Sequence, residues 1–373
     1  MTAPKLLVSR RIRATPYTSR VEALGVSGYS VVNHTVLPKG FQKSVVDDYW
    51  HLKTHVQLWD VGCQRQVELL GPDAARLVQL MTPRDLRNAR AGQCLYAPLI
   101  DENASMLNDP IILKLAEDRY WLSIADADIL LWAKGLALGM GLEVAIDEPD
   151  VWPLSIQGPK SDDLAARIFG EHVREIGFFK FRECEFAGQP VIVARTGYSK
   201  QGGFEMYPEG FSFGTSLWDA IWQAGPDLQL SPGCPNLIER VEGGLLSYGN
   251  EMTRTENPLE CGLEKYCQLD GSVDYIGREA LQRLAETGPR RLIRGLIFDG
   301  EACPPCQHPW PISVDKRQVG YVTSAIWSPR FGRNVALAML DRGFWEPGTA
   351  VAIDWGDGTD RSGIVTNLPM EDA

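Results

Sequence analysis

Arg195-Thr-Gly-Tyr-Ser-Lys-Gln-Gly-Gly-Phe-Glu205-Met-Tyr207 is the stretch from which the fold can be read. Val191–Ala194, just before it, is β-rich, and so is Phe204–Tyr207. Between them Gly202-Gly203 supplies a tight turn at a point where a side chain would block close approach. The pattern predicts a β-hairpin whose second strand opens with a carboxylate, Glu205, between Phe204 and Tyr207. Flat apolar walls around a carboxylate suit a planar heterocycle that presents two parallel N–H groups on one edge. An ordinary hairpin with a solvated Glu205 reads equally well from these residues alone.

Outward from the hairpin, one pattern occurs twice. Gln66-Val-Glu-Leu-Leu-Gly-Pro72 and Leu154-Ser-Ile-Gln-Gly-Pro159 each read as a short strand and a Gly-Pro break. Each is followed by a helix expected to carry Pro at its first position and acids in its first turn. Two such units predict two related α/β lobes. Val45–Val56 reads as a helix with Tyr49, Leu52 and Val56 at helical spacing. A hairpin is expected at Cys94–Leu113 and a helix at Asp128–Gly139. After Gly295 the texture changes to short β segments at 295–298, 318–323, 334–338, 350–353 and 363–365, which predict a small antiparallel barrel or sandwich. Gly288-Pro-Arg-Arg291 reads as the linker into it.

At 373 residues the chain exceeds what one core usually supports, so two or three domains are expected. A hydrophobic content of 44% with 9% aromatics excludes wholesale disorder. A net charge of -11 and a pI near 5.1 argue against a nucleic-acid partner. No apolar run reaches the roughly 18 residues of a membrane span, and Lys5–Val8 is too short for a signal peptide core. A cytoplasmic protein is expected. Among eight cysteines, only Cys303-Pro-Pro-Cys306 with His308 looks like a metal or redox motif. A structural zinc site brings a second Cys/His pair at a readable spacing. Cys261 and Cys267 lie too far upstream, so a surface loop and no metal are expected.

The 195–207 stretch resembles the folate-binding signature of the glycine-cleavage T-protein family, which moves one-carbon units to or from tetrahydrofolate. Asn236–Asn250 looks like that family's helix and loop, which carries an arginine, here Arg240, near the folate. Asn257-Pro-Leu-Glu260-Cys-Gly-Leu, Ile276–Leu281 and Gly320-Tyr-Val-Thr-Ser324 follow in the family's order. The resemblance implies an α+β, three-lobed fold with folate in a central hole. It draws a discontinuous first lobe over 1–58 and 151–285, a second lobe over 59–150, and a C-terminal antiparallel β-barrel over 286–373. It also implies that Glu205, Tyr207, Tyr198 and Arg240 bind the tetrahydrofolate, and it leaves a homodimer open.

One departure changes the expected chemistry. The family carries two consecutive aspartates whose first is the acid-base residue; here the run is Ser105-Met-Leu-Asn108-Asp109-Pro110. Asn108 has no pKa with which to shuttle protons. Simple methyl transfer from a good leaving group has no such demand. The Met-Leu-Asn-Asp-Pro run resembles a narrower branch, the dimethylsulfoniopropionate demethylases. So do Asp48–Lys53, Val56–Val61, Ser123–Asp126, Gln157–Ser161 and Ser199–Gly203. Tyr198 stands where that branch is expected to have tryptophan.

A sulfonium methyl is already activated, so the protein contributes mostly alignment, worth on the order of 7–11 kcal/mol at ideal geometry. A sulfonium also suits an aromatic pocket, at about 0.5–2 kcal/mol per contact. Asn108 and Tyr96 are the expected catalytic residues; Trp121, Ser123 and Tyr198 are the expected contacts of a small-molecule methyl donor. Three readings follow. The first is a folate-dependent S-demethylase. The second is an O- or N-demethylase, whose poor leaving group needs a general acid such as His34, His51 or His55. The third is a folate-binding protein without catalysis.

Overall fold

The computed structural model describes residues 7–124 and 126–371. The hairpin forms as expected: Gln189–Ala194 runs antiparallel to Gly203–Tyr207, with Ala194 opposite Glu205. A Cβ on Gly203 would sit on the Ile156 carbonyl of the next strand, and its φ of 152° is one that glycine tolerates best. The hairpin lies in a six-stranded sheet ordered Phe181–Phe186, Gln189–Ala194, Gly203–Tyr207, Leu154–Gln157, Gln57–Asp60, Ser231–Gly233. The last pair is parallel and the others antiparallel. Helices Ser161–Phe169 and Phe211–Ala224 cover one face, burying Leu164, Phe169, Leu217 and Trp218 against Leu58, Leu154 and Val193. Each such side chain contributes about 1.5–3 kcal/mol.

The second sheet has five antiparallel strands ordered Ala145–Asp147, Gln66–Leu70, Arg119–Ser123, Ile111–Ala116, Gln93–Tyr96. Helices Ala74–Leu80 and Ile129–Met140 pack on it through Leu77, Val78, Ile129 and Ala133. The expected 94–113 hairpin is present, with a smaller one inside it, Leu99–Ile100 against Met106–Asn108. Ile100, Ala104 and Met106 then pack on Met252, Leu259 and Leu281, joining this sheet to the 252–281 segment.

The repeated Gly-Pro units share their geometry, although one detail of the expectation is corrected. Proline precedes the N-cap in both, the caps being Asp73 and Lys160, and acids occupy the first turn only in the second helix, as Asp162 and Asp163. Turning from strand into helix uses both residues of the Gly-Pro pair. Gly71 and Gly158 take positive φ there, and a Cβ on either would strike a backbone carbonyl, of Glu143 or His55. The helix expected over 45–56 ends at Thr54. Val56 is still buried, because the chain extends at once into Gln57–Asp60.

The C-terminal segment is a closed barrel of six antiparallel strands in the order Arg291–Phe298, Arg333–Asp341, Arg317–Ser328, Trp310–Val314, Ala350–Ile353, Arg361–Thr366. That settles barrel over sandwich. Trp310–Val314 was not foreseen, because Pro311 marks the segment as loop. Pairing to Ala350–Ile353 begins only at Ile312, so the missing N–H is tolerated. Cys303 and Cys306 lean on the barrel core. Among the described residues no three metal-ligating side chains cluster, and no helix is long and apolar enough to cross a membrane.

Candidate active site

Glu205 is buried, not solvated. It stands on the strand Gly203–Tyr207 and accepts a short hydrogen bond from the Thr196 hydroxyl and a longer one, 3.4 Å, from Tyr207. Burial raises the Glu205 carboxyl above the usual range, and these two donors partly offset that. Tyr207 lies beside the Ser123 hydroxyl, and its ring is 6.1 Å from that of Trp121. Trp121 packs among Cys94, Leu113, Val151 and Tyr207, while its indole N–H donates to Glu68 at 2.9 Å. It therefore backs Tyr207, its own polar atom already partnered.

Asn108 ends the short strand Met106–Asn108 and is fully buried. Neither its amide nitrogen nor its carbonyl oxygen has a hydrogen-bond partner among the described residues. An unpaired buried polar group costs about 1–3 kcal/mol, so this amide is built to meet something the protein itself does not supply. The adjacent Asp109 accepts a 2.8 Å hydrogen bond from Tyr96, whose ring meets Tyr266 edge-on at 5.1 Å. Asp109 is partly buried as a residue, and the protein packed around its carboxyl pushes it up to about 7. The strand Gln93–Tyr96 links this pair to Glu205. Cys94 feels the Glu205 charge, and Tyr96, two residues on, holds Asp109 from the same strand face.

Tyr198 and Arg240 meet at the far side. The Tyr198 hydroxyl reaches the Leu245 and Leu246 carbonyls at 3.1 and 2.7 Å, and Arg240 donates to the same Leu245 carbonyl at 3.2 Å. The Tyr198 ring rests on Leu52, Trp59 and Val61. Arg240 rises from the helix Leu237–Gly243, which Asn236 caps by accepting from the Ile238 and Glu239 amides. Its guanidinium pairs with buried Glu251 at 2.7 Å and donates to Ser324 of the barrel. Tyr198 feels the charges of Arg240, Glu251 and Asp109, which puts all three groups in its neighbourhood. His51 and His55 lie elsewhere, their rings tilted against each other at 5.0 Å beside Lys43 and Lys160; burial lowers His51 to about 4.

Thr196, Asp109 and Glu251 went unassigned in the sequence. Thr196 stood inside the quoted signature, and Glu251 directly follows the Asn236–Asn250 motif; Asp109 was overlooked beside its altered neighbour.

Two family models match in tandem, the GCVT N-terminal domain over residues 17–271 and the glycine cleavage T-protein C-terminal barrel domain over 290–372. The chain belongs to the glycine cleavage T-protein family. It is thus a tetrahydrofolate-dependent one-carbon transferase. It is 54% identical over 350 residues to the dimethylsulfoniopropionate demethylase DmdA of Ruegeria pomeroyi, covering 94% of this chain and 95% of that one. It is 29% identical to an aminomethyltransferase of Caldanaerobacter subterraneus subsp. tengcongensis, covering 90% and 87%. The crystal structure of aminomethyltransferase T from Bartonella henselae shares the fold, with a TM-score of 0.85 at 22% identity over 96% of this chain and 98% of that one.

The site residues fit a folate of this family. Glu205 offers a buried two-oxygen acceptor, Tyr207 a flat wall, and Asn108 an unmatched donor and acceptor.

Proposed function

We propose that this T-protein relative is an S-demethylase, moving a methyl group from a sulfonium such as dimethylsulfoniopropionate to tetrahydrofolate and yielding 5-methyl-tetrahydrofolate. The observation that carries the reading is Asn108, an unpaired amide at the position of the family's acid-base aspartate. The 54% identity to a protein named as that demethylase supports it. Tetrahydrofolate supplies the nucleophilic nitrogen that receives the methyl group. Glu205 accepts the two N–H groups of the pterin edge, Tyr207 packs its face, and Asn108 fixes its orientation without exchanging a proton. Tyr198 and Ser123 shape the side on which the donor lies, and Trp121 supports Tyr207 from behind. Arg240, held by Glu251 and Ser324, keeps the loop at Leu245 in place.

A second reading has one observation in its favour. A carboxyl poised near pH 7 beside Tyr96 could protonate a departing ether oxygen, as an O-demethylase requires. Incubation with tetrahydrofolate and a panel of sulfonium, methoxy and N-methyl donors separates the two. The S-demethylase reading expects 5-methyl-tetrahydrofolate from the sulfonium alone, and its absence there would end that reading.

The proposal extends to a cytoplasmic homodimer. Eight free cysteines suit a reducing compartment. Leu131 and Leu138, 63% and 86% exposed on the helix Ile129–Met140, offer an apolar face. Sedimentation of the purified chain as a monomer would refute the assembly.

A further inference from the structure

The proposed transfer leaves a proton to be placed. The S–CH3 bond breaks with its electron pair staying on sulfur, and an N–CH3 bond forms from the lone pair of a nitrogen that already bears hydrogen. The sulfide departs neutral. The charge must therefore leave as a proton from nitrogen, the N–H electron pair staying behind. Asn108 cannot accept it, because an amide has no accessible pKa. Glu205 is occupied in binding on the reading above.

Asp109 has the position and the surroundings to accept it. It follows Asn108 in the chain, its carboxylate is oriented by Tyr96 at 2.8 Å, and the residue as a whole is only partly buried. The groups facing it are Tyr96 on Gln93–Tyr96, Tyr198 ahead of Gly203–Tyr207, Tyr248 and Glu251 in the 247–252 turn, and Cys261. All are neutral or acidic, and the nearby cation Arg240 is taken up by Glu251. Among the described residues, therefore, no ion pair locks the Asp109 carboxylate in its charged form. Burial and the Glu251 charge instead bring it to about 7, where a group both takes and gives up a proton readily.

We infer that Asp109, oriented by the Tyr96 hydroxyl, accepts the proton shed by the acceptor nitrogen and passes it to solvent. The inference rests on the S-demethylase reading, and its test keeps the two apart. Single-turnover methyl transfer from dimethylsulfoniopropionate by the full chain should rise with pH through about 7. Asp109→Asn should lose that inflection and run about 10²–10⁴ times slower. It should still bind tetrahydrofolate within about threefold of wild type by calorimetry. Tyr96→Phe removes the hydrogen bond that favours the carboxylate, so its inflection should move to higher pH. In the ligand-free protein, the carboxyl titration seen by infrared or NMR should vanish in the first variant and move upward in the second.

An unchanged profile in Asp109→Asn would overturn the inference alone. So would loss of folate binding in that variant, which would make Asp109 a binding residue. A wild-type rate that falls above pH 7 would make it an acid. Wild type that transfers no methyl group from the sulfonium would overturn the reading and the inference together.

Discussion

Arg240 and Glu251 form an ion pair at 2.7 Å that is almost wholly out of solvent, and the same carboxylate accepts from Thr323, Ser324 and the Ser247 amide. Removing one member leaves the other charge buried and unmatched. Glu251→Ala should cost about 3–5 kcal/mol in urea unfolding. A loss below about 1 kcal/mol would mean the pair is solvated and weak.

Asn108 should trade stability against binding. Asn108→Leu removes two unpaired polar atoms, so the ligand-free protein should gain about 1–3 kcal/mol. Its affinity for tetrahydrofolate should fall about tenfold or more. Asn108→Asp should not speed methyl transfer; a large gain would show that residue 108 is meant to exchange a proton. Thermal unfolding and calorimetry on the same samples read both effects.

Glu205→Gln keeps the shape of the site and removes the charged two-oxygen acceptor. The cost is about 1.5–3 kcal/mol, or roughly ten- to a hundredfold in folate affinity. Calorimetry showing unchanged affinity would remove Glu205 from the folate site.

Tyr198→Ala should weaken a cationic donor by about 1–2 kcal/mol and folate by less. Tyr198→Trp should maintain or raise activity on dimethylsulfoniopropionate. Loss of activity on a neutral methoxy donor in that variant, with none on the sulfonium in wild type, would favour the O-demethylase reading.

Asp60 gives a pH dependence away from the site. It is buried, accepts from Thr15 and the Gly62 amide, and has its carboxyl raised to about 7 by burial. The unfolded chain ionises at the ordinary value, near 4. A raised folded-state pKa means the protein is favoured while Asp60 is protonated and loses stability as pH climbs from about 4 to 7. The loss is on the order of 4 kcal/mol. Asp60→Asn should flatten that slope in urea unfolding between pH 4 and 8; an unchanged slope would assign it to other groups.

The hairpin, both Gly-Pro units and most of the barrel were legible, because periodicity and turn chemistry are local. Glu205 and Asn108 were legible as residue types in place, but their burial was not, since neighbours distant in sequence create it. Thr196 reaches Glu205 across nine positions of chain, and Ser324 reaches Arg240 across 84. Trp121 read as a donor contact because it precedes Ser123. Its tie to Glu68 depends on strand pairing, which one sequence does not display. Asp109 carried no assigned role in the sequence, and its raised carboxyl emerges only when the fold buries it and brings the Glu251 charge near, the Tyr96 hydrogen bond offsetting part of the rise.

The barrel strand Arg317–Ser328 supplies partners to three charged side chains lying before the barrel: Ser324 to Arg240 and Glu251, Thr323 to Glu251, and Ser328 to Glu242. A recombination event that exchanged barrels between relatives would strand those charges unless the hydroxyls arrived in register. The two segments that match separate family models therefore have to be inherited together, and their junction is a poor place to cut or graft.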